Sequence, residues 1–514
     1  MTGAWRRGGT GVLLAVAAAW SCTLAVVSCT ARREATARDA SSVTVLYPGD
    51  ERILGPYWEM PAKFLMFLPL VRHDQHGELE GVLARRWEHS PDYRIWTIHL
   101  RGDVRWHDGV AFTAHDVKFT WDLFSRPEIL WNPPGAATVT VLDDTTLTIT
   151  YQRRADSPLN PERVYYPRHL LQRLDPAKFS SWAFWTQPVG NGPYRYLRHV
   201  EKTLLELEAN PNYFRGKPAI ERVILKFTAG EHGLPELLSG NVDVLGWPGR
   251  MEVLNLAGDP RYVVYYQVYP ATRAILWKAS HPILQDARVR RAMTLAINRR
   301  ELYALLGFPA EVPIVDGPYS DRQFLRRELL APLPHDPGEA RRLLEEAGWR
   351  DADGDGVRER EGRPLRFTLR VPAEEQQAGV YVQEQLARVG VRLDLTTVDL
   401  NVIRQRQRSG DFEALLGGVN SNWQARFFGR DGVTGYRNAR VAELLEQLDE
   451  VFDPDRSDAI YRELLDIFRV DQPATFLIPN VEQFVAPRWL RGLSSPYRAD
   501  PLVSMEFLWI EGRP

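Results

Sequence analysis

The chain has 514 residues, with 64 Lys+Arg against 66 Asp+Glu and a formal net charge of −2. Hydrophobic residues make up 44 % and charged residues 25 %, the proportions of an ordinary globular protein. These values exclude a collagen-like chain, a long disordered tail and a multi-span membrane protein, and the near-neutral balance argues against a nucleic-acid binder, which needs a basic face. At about 100–200 residues per domain the length predicts two to four lobes. Cys22 and Cys29 are the only cysteines, so the rest of the chain holds no disulfide and no cysteine-based zinc site.

The N-terminus reads as an address. Arg6 and Arg7 precede an apolar run over residues 11–27, and a polar stretch follows to Ser42. That order is the order of a secretory signal. Val26-Val27-Ser28-Cys29 resembles a bacterial lipobox, in which the cysteine is acylated and becomes the first mature residue. Residues 1–28 are then a lipoprotein signal peptide and 29–42 a flexible tether, with Cys29 as the lipidation site. An uncleaved anchor helix is the alternative, and its apolar run is at the short limit for a span. Both readings place residues 43–514 outside the cytoplasm, tethered to a membrane.

Residues 79–122 read as two strands leading into a helix. Tyr93, Ile95 and Trp96-Thr97-Ile98-His99-Leu100 have the side chains a strand prefers. Asp108-Gly109 marks a turn, and Thr113 with Asp116 predicts a capped helix start. Asp143-Asp144 is a turn before a strand over Leu147–Tyr151. Across 286–306, Val289, Ala292-Met293, Ala296-Ile297 and Leu305-Leu306 recur at helical spacing. Asp336-Pro337 predicts an N-cap and first helical residue, and Gly348 a stop. Residues 439–453 and 456–469 repeat the helical pattern. Alternating strands and helices place the chain in the α/β or α+β class.

The order "LA-x-x-W … W-T-I-x-L-R … W-H-D-G … F-T-A-x-D-V-x-F" closely resembles the signature of the family 5 extracellular solute-binding proteins, the peptide-, dipeptide- and nickel-binding receptors of bacterial ABC importers. The resemblance continues through Gly190-Asn191-Gly192-Pro193-Tyr194, Asn210-Pro211-Asn212-Tyr213, Glu236–Asp243, Asp286–Ala292, Asn298-Arg299 (the end of that helix) and Gly435-Tyr436-Arg437-Asn438. It implies an α/β, two-lobed periplasmic-binding-protein-like fold of type II, in the large peptide-binding subclass, with an inserted third subdomain. Lobe I is expected over 43–69, 189–270 and 481–514, the insertion over 70–188 and lobe II over 271–480, with hinge crossings near Pro270 and Asn480. The implied function is capture of an oligopeptide or peptide-like solute between hinged lobes and delivery to an ABC permease and its ATPase. Such a protein is expected to be a monomer that needs no cofactor and performs no catalysis. A membrane-tethered sensor and an extracytoplasmic hydrolase on the same fold are the alternatives.

Candidate ligand contacts follow from aromatic and polar residues near the expected cleft. They are Trp247, Tyr265, Tyr266, Trp277, Asn420, Asn422, Trp423, Arg426 and Tyr436, since flat rings supply apolar area with few rotors to freeze. In the peptide-binding branch a "W-x-x-D" carboxylate holds the peptide ammonium. Here the third residue after Trp423 is Arg426, which repels an ammonium and suits a carboxylate or phosphate. Asp411 or Asp431 supplies the carboxylate if the register is shifted. Asp351, Asp353, Asp355 and Gly356 imitate the start of an EF-hand loop, but Gly362 stands where the bidentate Glu belongs and Glu361 is one residue off. The plain reading of that stretch is a turn. His107-Asp108, His115-Asp116 and His73-x-x-His76 read as turn, cap and loop residues. No G-x-S-x-G, H-E-x-x-H, P-loop or Rossmann fingerprint is present.

Overall fold

Alternation of apolar and polar side chains decides the strands, and one of them starts earlier than expected. Ser42, assigned above to the tether, is already the buried first residue of the strand Ser42–Pro48. In the computed structural model the described residues are 41–48, 63–74, 76, 78–126, 129, 137–151, 159–228, 233–317, 319, 331–420, 424–451, 453–495 and 500–513, with Pro270 and Asn420 described by backbone alone. The signal, Cys22, Cys29 and the tether up to residue 40, together with Asn422 and Trp423, lie outside them. Among the described residues no helix is long and apolar enough to cross a membrane.

A ten-stranded mixed sheet runs through the molecule. Its order is Arg392–Val398, Arg366–Pro372, Ala414–Asn420, Tyr262–Trp277, Ala474–Pro487, Val244–Gly246, Ser42–Pro48, Arg222–Thr228, Leu204–Ala209 and Tyr194–Val200. Two long antiparallel strands, Tyr262–Trp277 and Ala474–Pro487, form its middle. Their register holds from Tyr262↔Pro487 to Tyr269↔Asn480, breaks, and resumes at Thr272↔Pro479. The break leaves Pro270 and Ala271 as extra residues, and bulges of this kind bend a strand and raise its twist.

The cores divide at the same place. One apolar core joins Val43, Val45 and Tyr47 to residues of the 65–225 region and to Phe484, Leu502 and Met505. The four-stranded sheet Ala84–His89, Ile95–Leu100, Thr146–Tyr151 and Ala137–Asp143 packs into that core. Two other cores cover opposite faces of the sheet beyond the break. Ile275, Trp277 and Leu416 lie on one face, and Ala274, Leu276 and Phe428 on the other.

Local signals account for most element starts. Thr113 precedes the helix Ala114–Phe124, and its N–H donates to the Asp116 carboxylate at 2.8 Å. Asp336 caps Pro337–Glu346 by accepting from Glu339 N–H at 2.9 Å, and Gly348 follows at φ +85°. Asn438 and Asp453 cap Ala439–Leu448 and Pro454–Asp471 in the same way. Two expectations need correction. Tyr93 is not in the strand; it sits at φ +57°, and the strand begins at Ile95. The helical run 286–306 is two helices, Ala287–Ala296 and Arg299–Leu305. Asn298 does not end the first helix but starts the second, its side chain accepting from Glu301 N–H at 3.1 Å. A short side chain that bonds its own backbone favours such a break over continued helix.

The family-like motifs prove to be mutual clamps. The Met66 carbonyl accepts from both Asn191 and Gly192 N–H at 2.8 Å, and Asn210 Nδ2 donates to the Gly192 carbonyl at 3.1 Å. His107 joins the same turn. Its Nδ1 accepts from Gly190 N–H at 3.1 Å, and its Nε2 bonds the Gly192 carbonyl at 3.1 Å. Burial lowers the His107 pKa to about 4. Below pH 6.5 the unfolded chain takes up a proton that the folded chain refuses, so this residue's contribution is lost as pH falls from about 6.5 toward 4. Melting curves between pH 7 and 4.5 are expected to drop more steeply for wild type than for His107→Gln, and parallel curves would refute the assignment.

Candidate functional site

The register of the two long strands sets which side chains gather at the crossing. Tyr265↔Phe484, Gln267↔Glu482 and Tyr269↔Asn480 are directly opposed, so these side chains share one face of the sheet. Tyr47, near the end of the strand Ser42–Pro48 on the far side of Val244–Gly246 from the long pair, packs on that face with Phe484. Gly246 makes room for it: a Cβ there would lie 2.2 Å from the Tyr47 ring. Trp247 follows at φ +50°, a left-handed backbone rare for an aromatic residue. Its indole meets the Tyr47 ring edge-on, with centroids 5.2 Å apart. Strain of this kind persists where surroundings enforce it, and it sets the Trp247 ring at the crossing.

Two carboxylates lie against these rings. Tyr269 Oη donates to Glu482 Oε2 at 2.9 Å. The indole N–H of Trp247 lies beside the Glu482 carboxylate but outside hydrogen-bond geometry. Asp500, 1 % exposed, accepts from Leu502 N–H at 2.8 Å through one oxygen. Its other oxygen and the hydroxyl of the fully buried Tyr47 have no hydrogen-bond partner among the described residues. Burial, then the Glu482 charge, pushes the Asp500 carboxyl up to about 8. Burial also raises Glu482. The Tyr47 hydroxyl is held well above its usual range by burial first, then by Asp500 and Glu482.

Across the register break the same face carries Arg273, half exposed and ion-paired with the buried Glu375. Arg273 is opposite Gly418 on the strand Ala414–Asn420. A Cβ on Gly418 would meet nothing within 4 Å, so the surface is open there.

The residues expected to contact ligand separate into groups. Trp247 and Tyr265 stand on the face just described, both partly exposed. Tyr266 points to the opposite face, with Val268 and Tyr319. Trp277 is fully buried beyond the crossing, its indole N–H donating to Thr475 Oγ1 at 3.2 Å, so it is a core residue. Tyr436 is likewise a core residue, its hydroxyl bonded to Asp471. In both cases the ring is covered on every side by its own lobe. Arg426 is exposed on the short helix Gln424–Phe428. Asn420 ends its strand, and Asn422 and Trp423 fall outside the described residues. Asp411 is ion-paired with Arg406, and Asp431 is exposed.

The acidic loop gathers a set of carboxylates that differs from the EF-hand-like candidates Asp351, Asp353 and Asp355. Carboxylates of Asp351, Asp353 and Glu359, not Asp355, come within 4.8 Å of one another. Asp355 turns to Val357 N–H at 2.8 Å. Asp351 accepts from Gly354 and Gly356 N–H at 2.8 and 3.1 Å, and Glu359 accepts from Ala352 N–H at 2.6 Å. The cluster is thus a self-bonded surface turn.

Sequence reasoning missed Tyr47, Tyr269, Arg273, Glu482 and Asp500. Two signals were present: Tyr269 and Glu482 flank the expected crossings, and Glu482 interrupts the apolar strand Ala474–Pro487.

Comparison with known proteins agrees with this architecture. Residues 78–435 match the bacterial extracellular solute-binding proteins, family 5 (middle). A putative ABC transporter peptide-binding protein of Brucella ovis is 28 % identical over 375 residues, covering 69 % of this chain and 68 % of that protein. The oligopeptide-binding protein AppA of Bacillus subtilis, solved with a nonapeptide, superposes with a TM-score of 0.67 at 20 % identity, covering 91 % of this chain and 99 % of that one. NikA of Brucella suis, solved with Fe(III)-EDTA, gives 0.75 at 22 % identity, covering 91 % and 100 %. A continuous match over most of the chain, on a two-lobed α/β fold of the same class, places it in the family 5 bacterial extracellular solute-binding proteins.

Proposed function

We propose that this chain is the solute receptor of a bacterial ABC importer, held outside the cytoplasm by acylated Cys29, which captures a peptide-like solute or metal chelate and hands it to a permease and its ATPase without altering it. The observation that carries this reading is the crossing itself. Two paired strands join the separately cored lobes, and their register breaks at Pro270–Ala271. Pro270 and Asn480 act as the hinge, with lobe I and its insertion on one side and lobe II over 271–480 on the other. The relatives support the solute class, since one was solved with a nonapeptide and another with a metal chelate.

Closure of the hinge takes the solute and the rings of Trp247 and Tyr265 out of water together. Only affinity that differs between the open and closed forms drives that motion. Arg426 lies just beyond the strand that ends at the crossing, and we assign it to an anionic or strongly accepting end of the solute.

Native mass spectrometry of protein taken from its own membranes tests this. The expected spectrum shows diacyl or triacyl mass on Cys29 and a bound small molecule. Adding that molecule to stripped protein should lower the radius of gyration in solution scattering. At a hundred times its Kd it should add about 2.7 kcal/mol of stability. Arg426→Ala should weaken it; unchanged affinity removes Arg426 from the site. A rigid scattering profile and turnover of the molecule would each refute the receptor reading.

A further inference from the structure

The cleft face of lobe I contains polar groups that no other described residue satisfies. The Tyr47 hydroxyl and one Asp500 oxygen are buried and unpartnered among the described residues. The Trp247 indole N–H is the third such atom, and it lies against Glu482. Native proteins rarely leave buried polar atoms unmet, because each costs about 1–3 kcal/mol. Here the two that can accept a hydrogen bond, the Tyr47 hydroxyl and the Asp500 oxygen, both feel the charge of the partly exposed Glu482 carboxylate, beside which the Trp247 donor also lies.

We propose that Glu482 and Asp500, framed by Tyr47, Tyr269 and Trp247, receive a cationic group of the captured solute, an ammonium or a guanidinium, on the lobe I wall of the cleft. The assignment rests on the solute-receptor reading above and specifies one end of the solute. The chemistry of the wall is suited to an organic cation. The partly exposed Glu482 carboxylate supplies acceptors with Asp500 buried behind it, and the partly exposed Tyr269 and Trp247 rings supply π faces that attract cations. Tyr269 already donates to one Glu482 oxygen and holds that carboxylate in place.

An arriving cation has a second effect. Asp500 is held protonated near neutral pH by burial and by Glu482. Among the described residues, Glu162 also acts on Glu482, and Lys63 feels the Glu162 charge in turn. A cation on the exposed side of Glu482 offsets the charge that Glu482 exerts on the buried Asp500, so Asp500 ionises more readily and its proton leaves to solvent. Affinity should therefore rise with pH from about 6 to 8.

The test uses the full mature chain and a defined panel: spermidine, arginine- and lysine-containing tripeptides blocked at both ends, and matched blocked neutral and acidic tripeptides. Cationic members are expected to raise the melting midpoint and the others not. The arginine and lysine arms separate guanidinium from ammonium. For the best cation, Glu482→Gln should raise Kd at least tenfold, and calorimetric heat should vary with buffer ionisation as Asp500 loses its proton. Asp500→Asn keeps the cap on Leu502 N–H and should abolish that buffer dependence. Melting curves of the free variants check that each folds. Binding confined to neutral or acidic members, or Glu482→Gln with unchanged affinity, overturns the assignment and leaves solute capture standing. A co-purified solute without a basic nitrogen does the same. No binding by any member, with no solute carried from the cell, overturns both.

Discussion

Asp316→Ala is expected to destabilise the second lobe by about 3–5 kcal/mol, the cost of leaving one member of a buried ion pair uncompensated. Arg299 and Asp316 are 3 % and 2 % exposed and lie 2.7 Å apart. Arg299 also donates to the carbonyls of Val315 and Leu333, at 3.2 and 2.9 Å. Asp316 accepts from Leu333 N–H at 2.6 Å. The pair thus pins the start of the helix Arg299–Leu305 to the segment ends at 316 and 333. Removing the carboxylate strands a guanidinium in the core. Denaturant titration followed by the fluorescence of Trp277 and Trp349, both buried in that lobe, reads the loss. The double variant Arg299→Met/Asp316→Leu should recover much of it, since apolar replacement of a whole buried pair is often neutral. A single variant that melts with wild type would show that the pair is not needed.

Gly190→Ala should be at least as severe in the first lobe. A Cβ at Gly190 would stand 1.9 Å from the Met66 carbonyl oxygen and 2.7 Å from its carbon. Both are backbone atoms, so no side chain can swing away. Met66 would have to move, and with it the bonds from Asn191 and Gly192 N–H to its carbonyl. Overpacking of this kind costs about 1–3 kcal/mol before the lost hydrogen bonds are added. The expected outcome is little soluble protein, or a melting midpoint many degrees lower. Gly102→Ala is the control, because its nearest atom would be Thr145 Cγ2 at 4.0 Å. Equal midpoints for the two variants would refute the close-approach account of Gly190.

These two cases show why motif order was readable while motif purpose was not. Gly190 and Gly192 stand out in the chain because a Cβ at either would strike the backbone of residues 65–66, and Asn298 because its short side chain caps a helix. The partners of Arg299 and Gly190, Asp316 and Met66, are far along the sequence and carry no local mark. Capping was legible for the opposite reason. Asp336-Pro337 acts on backbone within three residues, so composition and position coincide with that helix start, whereas Asp453, read as the end of the run 439–453, instead caps Pro454–Asp471 after a helix that stops at Leu448.

The candidate site divides along the same line. Trp247 and Trp277 look alike as aromatic residues near an expected cleft, yet one is partly exposed at the border of the first core and the other is sealed in a second core. Period-two alternation says which neighbours share a face with each ring. It does not say whether another layer covers that face.

Family membership and most helix starts were therefore written locally along the chain, in the order of its motifs and in short-range hydrogen bonding. Which rings keep some exposure, and that Tyr47, Glu482 and Asp500 come near one another, depended on the tertiary packing of segments from opposite ends of the chain. The reason is that burial is a property of packed layers, and no stretch of one layer carries the shape of the next.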